Sequence, residues 1–210
     1  MKYRLSFTTG SLFLLESVKI ARLYREEKDW RNIDRRILRE NILQKKTVAT
    51  QKRQVREIKR RLDNLSPESL DYLASAELEA ARFLLLLAVV KTYDFIFEFI
   101  DEVVRSKFLL FDTIILEADY ARFFEAKAAL HPEVASLSET SRAKIKEVLF
   151  RILAESGLIA SSKNWQITPP YVPEKIIELV TREDAKYLKA FLLPDKDIQT
   201  WKEKFADHGA

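Results

Sequence analysis

The stretch LEAARFLLLLAVVKTYDFIFEFIDEVVRSKF, Leu78 to Phe108, decides the fold of this 210-residue chain. Its middle, Phe83–Val90, is continuously apolar. It spans only eight residues, however, is bracketed by Arg82 and Lys91, and is followed by Asp94 and Glu98. A membrane-crossing helix needs about 20 apolar residues, so membrane insertion is not expected. The stretch reads instead as two strongly hydrophobic helices, about Leu78–Lys91 and Tyr93–Phe108, at the centre of a core. The second supplies Phe95, Phe97, Phe99 and Phe108. Glu98, Asp101 and Glu102, at i, i+3 and i+4, are expected to solvate its outer face.

N-terminal to this core the chain is helical and basic. Tyr3–Thr8 reads as an extended lead-in, and Ser11 as the cap of a helix over about Leu12–Arg25. A second helix, about Asp29–Arg39, turns Ile33, Ile37 and Leu38 inward. A third, about Thr47–Leu65, places Val48, Val55, Ile58, Leu62 and Leu65 on one stripe. Ser66-Pro67 is a cap followed by proline at the first helical position, which starts a further helix.

C-terminal to the core, a helix over about Asp119–Leu130 stops near His131-Pro132, and its Tyr120, Phe123 and Phe124 are expected in the core. Ser138 or Thr140 caps a helix with Ile145, Val148, Leu149, Ile152 and Leu153 on one face. Gly157 is its left-handed stop. Leu158–Thr168, two apolar runs around Ser161-Ser162-Lys163-Asn164, reads as a β-hairpin. Helix, glycine stop and hairpin together suggest a winged helix. After Pro169-Pro170 and Pro173, helices are expected near Glu174–Thr181 and Glu183–Leu192. The expected class is therefore all-α, a compact multi-helix bundle with a winged-helix-like C-terminal region carrying one small β-hairpin. Three regions are read: a basic N-terminal helical region, residues 1–66; a hydrophobic core, residues 67–193, with the winged-helix-like segment 119–168; and a polar tail, residues 194–210, anchored by Trp201 and Phe205.

Composition excludes much chemistry. With no cysteine there is no disulfide framework, Fe–S cluster, zinc ribbon or thiol nucleophile. Two histidines are too few for a zinc catalytic site, and three isolated glycines form neither a dinucleotide fingerprint nor a Walker A loop. His131, next to Pro132, reads as a helix-end residue. No serine sits in a nucleophile-elbow context. The chain is not expected to be an enzyme, nor to carry a cofactor or metal. Met1-Lys2-Tyr3-Arg4 leads to polar residues rather than to a signal core, so a cytoplasmic location is the default.

The net charge of +4 hides an asymmetry. Residues 1–64 hold 18 Lys/Arg against 8 Asp/Glu, whereas the remainder is acidic. The densest run, Lys45–Arg61, sets eight cations against Glu57 alone. A solvated helix gains from interleaved opposite charges, and their absence points to an anionic ligand. The candidate DNA-binding residues are Arg35, Arg36, Arg39, Lys45, Lys46, Lys52, Arg53, Arg56, Lys59, Arg60 and Arg61. Arg142, Lys144 and Lys146 on the later helix, and Lys163 in the hairpin turn, join them. Such side chains neutralise phosphates and release counterions, giving salt-sensitive, sequence-tolerant affinity.

Three strings in order are familiar: Tyr3-Arg4-Leu5-Ser6-Phe7-Thr8-Thr9-Gly10-Ser11-Leu12; Phe123-Phe124-Glu125-Ala126-Lys127-Ala128 with His131-Pro132-Glu133; and Val148-Leu149-Phe150-Arg151 leading to Glu155-Ser156-Gly157-Leu158. Over about residues 3–193 the chain resembles the BrxA family of BREX bacteriophage-defence systems. The resemblance implies a small, all-helical, non-enzymatic DNA-binding protein, its helical region similar to the antitermination factor NusB. It would serve machinery that methylates host DNA and blocks replication of unmethylated phage DNA. The expected function is an accessory component that contacts duplex phosphates through basic helices, with double-stranded DNA and other BREX proteins as partners. A monomer is expected. The alternatives are an adaptor docking a BREX partner such as the methyltransferase, or a NusB-like RNA-binding protein.

Overall fold

The computed structural model describes residues 2–206. Four helices, α1 (Leu14–Glu27), α2 (Trp30–Glu40), α3 (Val48–Leu62) and α4 (Pro67–Ser75), precede the apolar helix α5 (Leu78–Thr92). Every residue from Phe83 to Val90 is buried, because α1, α3 and α4 pack around α5 together with later elements. Local signals set most boundaries. Asp29, Thr47 and Ser66 each cap the helix they precede, and Pro67 takes the first helical position of α4.

The second half of the apolar stretch begins as α6 (Asp94–Phe99), passes through a π-helical segment (Ile100–Arg105) and ends as α7 (Ser106–Leu109). The wider turn reorganises the carboxylates expected on a solvated face. Glu98 and Glu102 meet the Lys127 ammonium at 2.5 and 2.6 Å, while Asp101 pairs with Arg105 at 3.0 Å and Lys189 at 3.2 Å. They are ion-paired, while Glu102 stays exposed on the outer face as expected.

The chain continues through α8 (Glu117–Leu130), a short α9 (Pro132–Ala135) and α10 (Glu139–Glu155), capped by Ser138. Then come α11 (Glu174–Asp184), a 3-10 turn (Ala185–Phe191) and α12 (Asp195–Ala206). Tyr120, Phe123 and Phe124 of α8 are buried as expected. With Phe95, Phe99 and Phe150 they form edge-to-face and tilted pairs. Apolar side chains from Tyr3 to Ile198 belong to one continuous core.

Several expectations are corrected. Ser6–Thr9 is a 3-10 turn, not an extended strand, and Ser11 does not cap α1. That helix starts after Phe13, which is left-handed at φ 57°. Gly10 leaves the room the Phe13 ring needs, since a Cβ there would lie 1.7 Å from a ring carbon. Val48 is 59 % exposed, because it is the first residue of α3 and the stripe begins one turn later. Gln51 is buried instead, where its amide donates to the Ile37 carbonyl at 2.8 Å and ties α3 to the end of α2.

Gly157 stops α10 at φ +81°. Residues 158–168 then pair through an isolated antiparallel bridge between Ile159 and Ile167 and through reciprocal backbone bonds between Ser161 and Asn164, and Gln166 bridges to Ile114. No β-strand forms among the described residues, so the architecture is all-helical. Trp165 lies flat on Phe150, ring centres 3.7 Å apart, which fixes this segment against α10. Residues 195–206, read as polar tail, are helical, with Ile198 buried and Trp201 stacked on Phe205 at 5.6 Å.

Candidate nucleic-acid interface

The basic helices α2 and α3 and the segment before α1 enclose a groove of about 670 Å³. Its floor is Leu38 and Val55, and its walls carry Arg4, Lys52, Arg56, Lys59 and Arg60 against Asp34 and Asp63. The helical period produces this arrangement. Val55, Ile58 and Leu62 bury one face of α3, which leaves Lys52, Arg56 and Lys59 in a row on another. Lys52, Arg53 and Arg56 are exposed and make no ion pair among the described residues. Lys46 and Arg35 are likewise exposed and without a carboxylate partner there, Arg35 donating only to the Arg31 carbonyl.

Other predicted cations are already engaged. Arg36 pairs with Glu27 at 2.8 Å, Glu40 at 3.4 Å and Glu26 at 3.6 Å, and Glu27 and Glu40 hold its pKa above the usual value. Arg39 meets Glu40 at 2.7 Å, Lys45 meets Glu16 at 2.9 Å, and Arg60 shares Glu57 at 2.9 Å. Arg61 is a correction. It is 3 % exposed, bonded to Glu57 at 2.8 Å and to the Ser11 carbonyl at 2.6 Å, and so belongs to the core.

The later cations do not join this row. Arg142 donates to the Leu137 and Ala135 carbonyls, Lys144 pairs with Glu147, and Lys146 pairs with Glu117 while lying over Tyr120 and Trp165. Lys163 is exposed at the turn of the bridged segment. The structure therefore brings Lys52, Arg56, Lys59 and Arg60 together, with Arg53 alongside, and leaves the α10 set apart.

Residue-by-residue reading missed Arg4, Asp34, Asp63, Tyr24 and Trp30. Arg4 comes from outside the dense run, and Asp63 lies just beyond its end. Burial pushes the Asp63 carboxyl upward, against the pull of Lys59 and the Trp30 indole. One oxygen of Asp34 is buried without a hydrogen-bond partner. Tyr24 and Trp30 could have been flagged as aromatics interleaved with Arg22, Arg25, Lys28 and Arg31. Among the described residues, no group of three or more His, Cys, Asp or Glu side chains is placed to hold a metal ion. No helix of the described residues is long and apolar enough to cross a membrane.

Known proteins resemble this chain along most of its length. The sequence profile of the BrxA family matches residues 1–184. The BREX protein BrxA of Bacillus cereus is 28 % identical over 177 residues, 84 % of this chain and 88 % of the relative. That of Paramagnetospirillum magneticum is 26 % identical over 190 residues, 89 % and 94 % of the two chains. A crystal structure of an uncharacterized protein from Magnetospirillum magneticum superposes with a TM-score of 0.78 at 25 % identity, over 91 % of this chain and 98 % of that one. A family profile spanning all but the last stretch of the sequence, and relatives aligned nearly end to end, lead to one assignment: the chain belongs to the BrxA family.

Proposed function

We propose that this BrxA-family protein is the DNA-binding component of a BREX phage-defence system, holding duplex phosphates along α3. Its relatives are named as BREX proteins. The observation that carries the reading is the row Lys52, Arg56 and Lys59 beside exposed Arg53 on a rigid helix, over a groove in which five cations face two carboxylates. Cations without intrachain partners are free to neutralise phosphates and so to release the counterions condensed on the DNA. α10 and the bridged segment carrying exposed Lys163 would serve as a secondary contact. A docking role toward another BREX protein has its own support: Leu110, Phe111, Ile114 and Leu116 are large, exposed apolar residues close together in sequence, and Phe111 is 93 % exposed.

The test is fluorescence anisotropy of labelled duplex DNA at several salt concentrations. Log affinity should fall steeply with log salt. Lys52→Glu/Arg56→Glu should weaken binding about ten- to a hundredfold at low salt and flatten the slope by about one per cation removed. A flat salt dependence, or an unaffected double variant, overturns the reading. Copurification of a BREX partner that survives nuclease, without any DNA affinity, would favour the docking role.

A further inference from the structure

At the edge of the basic groove, where Tyr24 and Trp30 pack partly buried against the core, aromatic and cationic side chains alternate in a ladder. The Lys59 ammonium lies 5.1 Å from the centre of the Trp30 ring. Tyr24 lies against the same indole at 4.6 Å and 34°, and the Lys28 ammonium lies 5.6 Å from the Tyr24 ring. Both aromatics are only partly buried. A second cleft of about 280 Å³, lined by Tyr24, Arg25 and Lys28 with Asp63 and Asp71, adjoins the groove, and Asp63 belongs to both walls. Lys59 of the groove lies over Trp30, which stacks with Tyr24 of the second cleft, so the aromatic pair connects the two.

We infer that this junction is a stacking platform for unpaired nucleobases, so that the α2–α3 groove and the adjoining cleft take a single-stranded segment. The proposal rests on the reading of α3 as a nucleic-acid surface and adds the class of ligand. Surfaces that track single strands combine a cationic groove with aromatic faces on which successive bases stack. A paired base inside a duplex has both faces occupied by its neighbours and cannot use such a platform without leaving the stack. Lys59 belongs both to the groove wall and to the indole face. A phosphate entering the groove draws its ammonium off the ring and uncovers that face for the base, while Arg25 and Lys28 meet the next phosphate in the second cleft.

The chain has three tryptophans, so the test starts from a Trp165→Phe/Trp201→Phe background in which Trp30 is the sole indole. A short oligothymidylate should quench its fluorescence. Trp30→Leu should weaken oligothymidylate binding roughly tenfold or more while changing affinity for a blunt duplex by less than about twofold. Trp30→Phe, which keeps a ring face, should restore most of the loss. If Trp30→Leu does not fold, Arg25→Ala/Lys28→Ala provides the same contrast at exposed positions. An oligouridylate bound as well or better upholds the platform and identifies the strand as RNA. No quenching, or equal losses on single strand and duplex, overturns it. Duplex binding that remains sensitive to Lys52→Glu/Arg56→Glu would then leave the duplex reading standing, whereas absence of binding to every nucleic acid sinks both.

Discussion

Arg60 and Arg61 are neighbours of one residue type with opposite fates. Arg60 reaches the groove, while Arg61 lies between the Phe13 and Tyr93 rings at 5.4 and 5.8 Å and bonds buried Glu57. The Tyr93 hydroxyl also donates to Glu57. Burial pushes the Tyr93 phenol up, reinforced by that carboxylate, so it stays a donor. Removing one member of a buried ion pair costs about 3–5 kcal/mol when the other is left unpaired, and less here, about 1–3 kcal/mol, because Glu57 keeps Arg60 and the Tyr93 hydroxyl. Arg61→Ala should lower chemical-denaturation stability by that order, whereas Arg56→Ala should leave stability nearly unchanged and weaken duplex binding. In the sequence the two fates were indistinguishable by composition. The only mark was that Glu57 precedes Arg61 by four residues, which describes surface pairs as well as buried ones. What decides the matter is Ser11 and Phe13, far away in the chain, closing over the guanidinium.

Among the elements, those with local punctuation were legible and those shaped by distant contacts were not. Ser66-Pro67, Ser138 and Gly157 mark boundaries through their own backbone chemistry, and the helices start or stop there. Gly157→Ala should cost about 1 kcal/mol or more by thermal melting, because its left-handed backbone resists a Cβ that would also lie 3.0 Å from the Arg82 guanidinium. The 3-10 turn before α1, the π-helical segment and the unstranded segment 158–168 follow from tertiary packing that no local pattern announces. Glu183 of α11 shows how elements are joined. It accepts from the Ser66 amide at the start of α4 and pairs with Lys91 at the end of α5. Burial pushes this carboxyl upward, but Lys91 and the bonds from Ser69 and Ser66 outweigh it, and its pKa is lowered. A carboxylate with a lowered native pKa stabilises the fold above its unfolded pKa, and that contribution is lost as pH falls through the native value. Melting temperature should therefore drop on acidification below the ordinary glutamate range, and Glu183→Gln should melt lower near neutrality with a shallower drop.

For the molecule as a whole, the charge split at residue 64 marked the region that carries the proposed site, because eighteen cations there outnumber eight carboxylates. It could not say which cations remain free. Arg36, Arg39 and Lys45 find Glu16, Glu26, Glu27 and Glu40, while Arg35 and the middle of α3 find no carboxylate among the described residues. The absence of cysteine and the scarcity of histidine were legible outright, since no folding rearranges what the chain does not contain.

The segment before α1 also sets an order of events. The Tyr3 amide donates to Glu133 and the Leu12 amide to Glu155, across separations of 130 and 143 residues, and Phe7 is fully buried between these anchors. At roughly 5–20 residues per second, a ribosome takes about 7–30 s to make the partners these first residues need. For that interval the Tyr3 and Leu12 amides have no anchors, although Phe7 can reach α3, Tyr93 and Phe95 once those are made. Residues 3–12 are thus made well before the partners that fasten them, and a nascent chain halted before Glu155 would carry that greasy strap unfastened into the reach of chaperones.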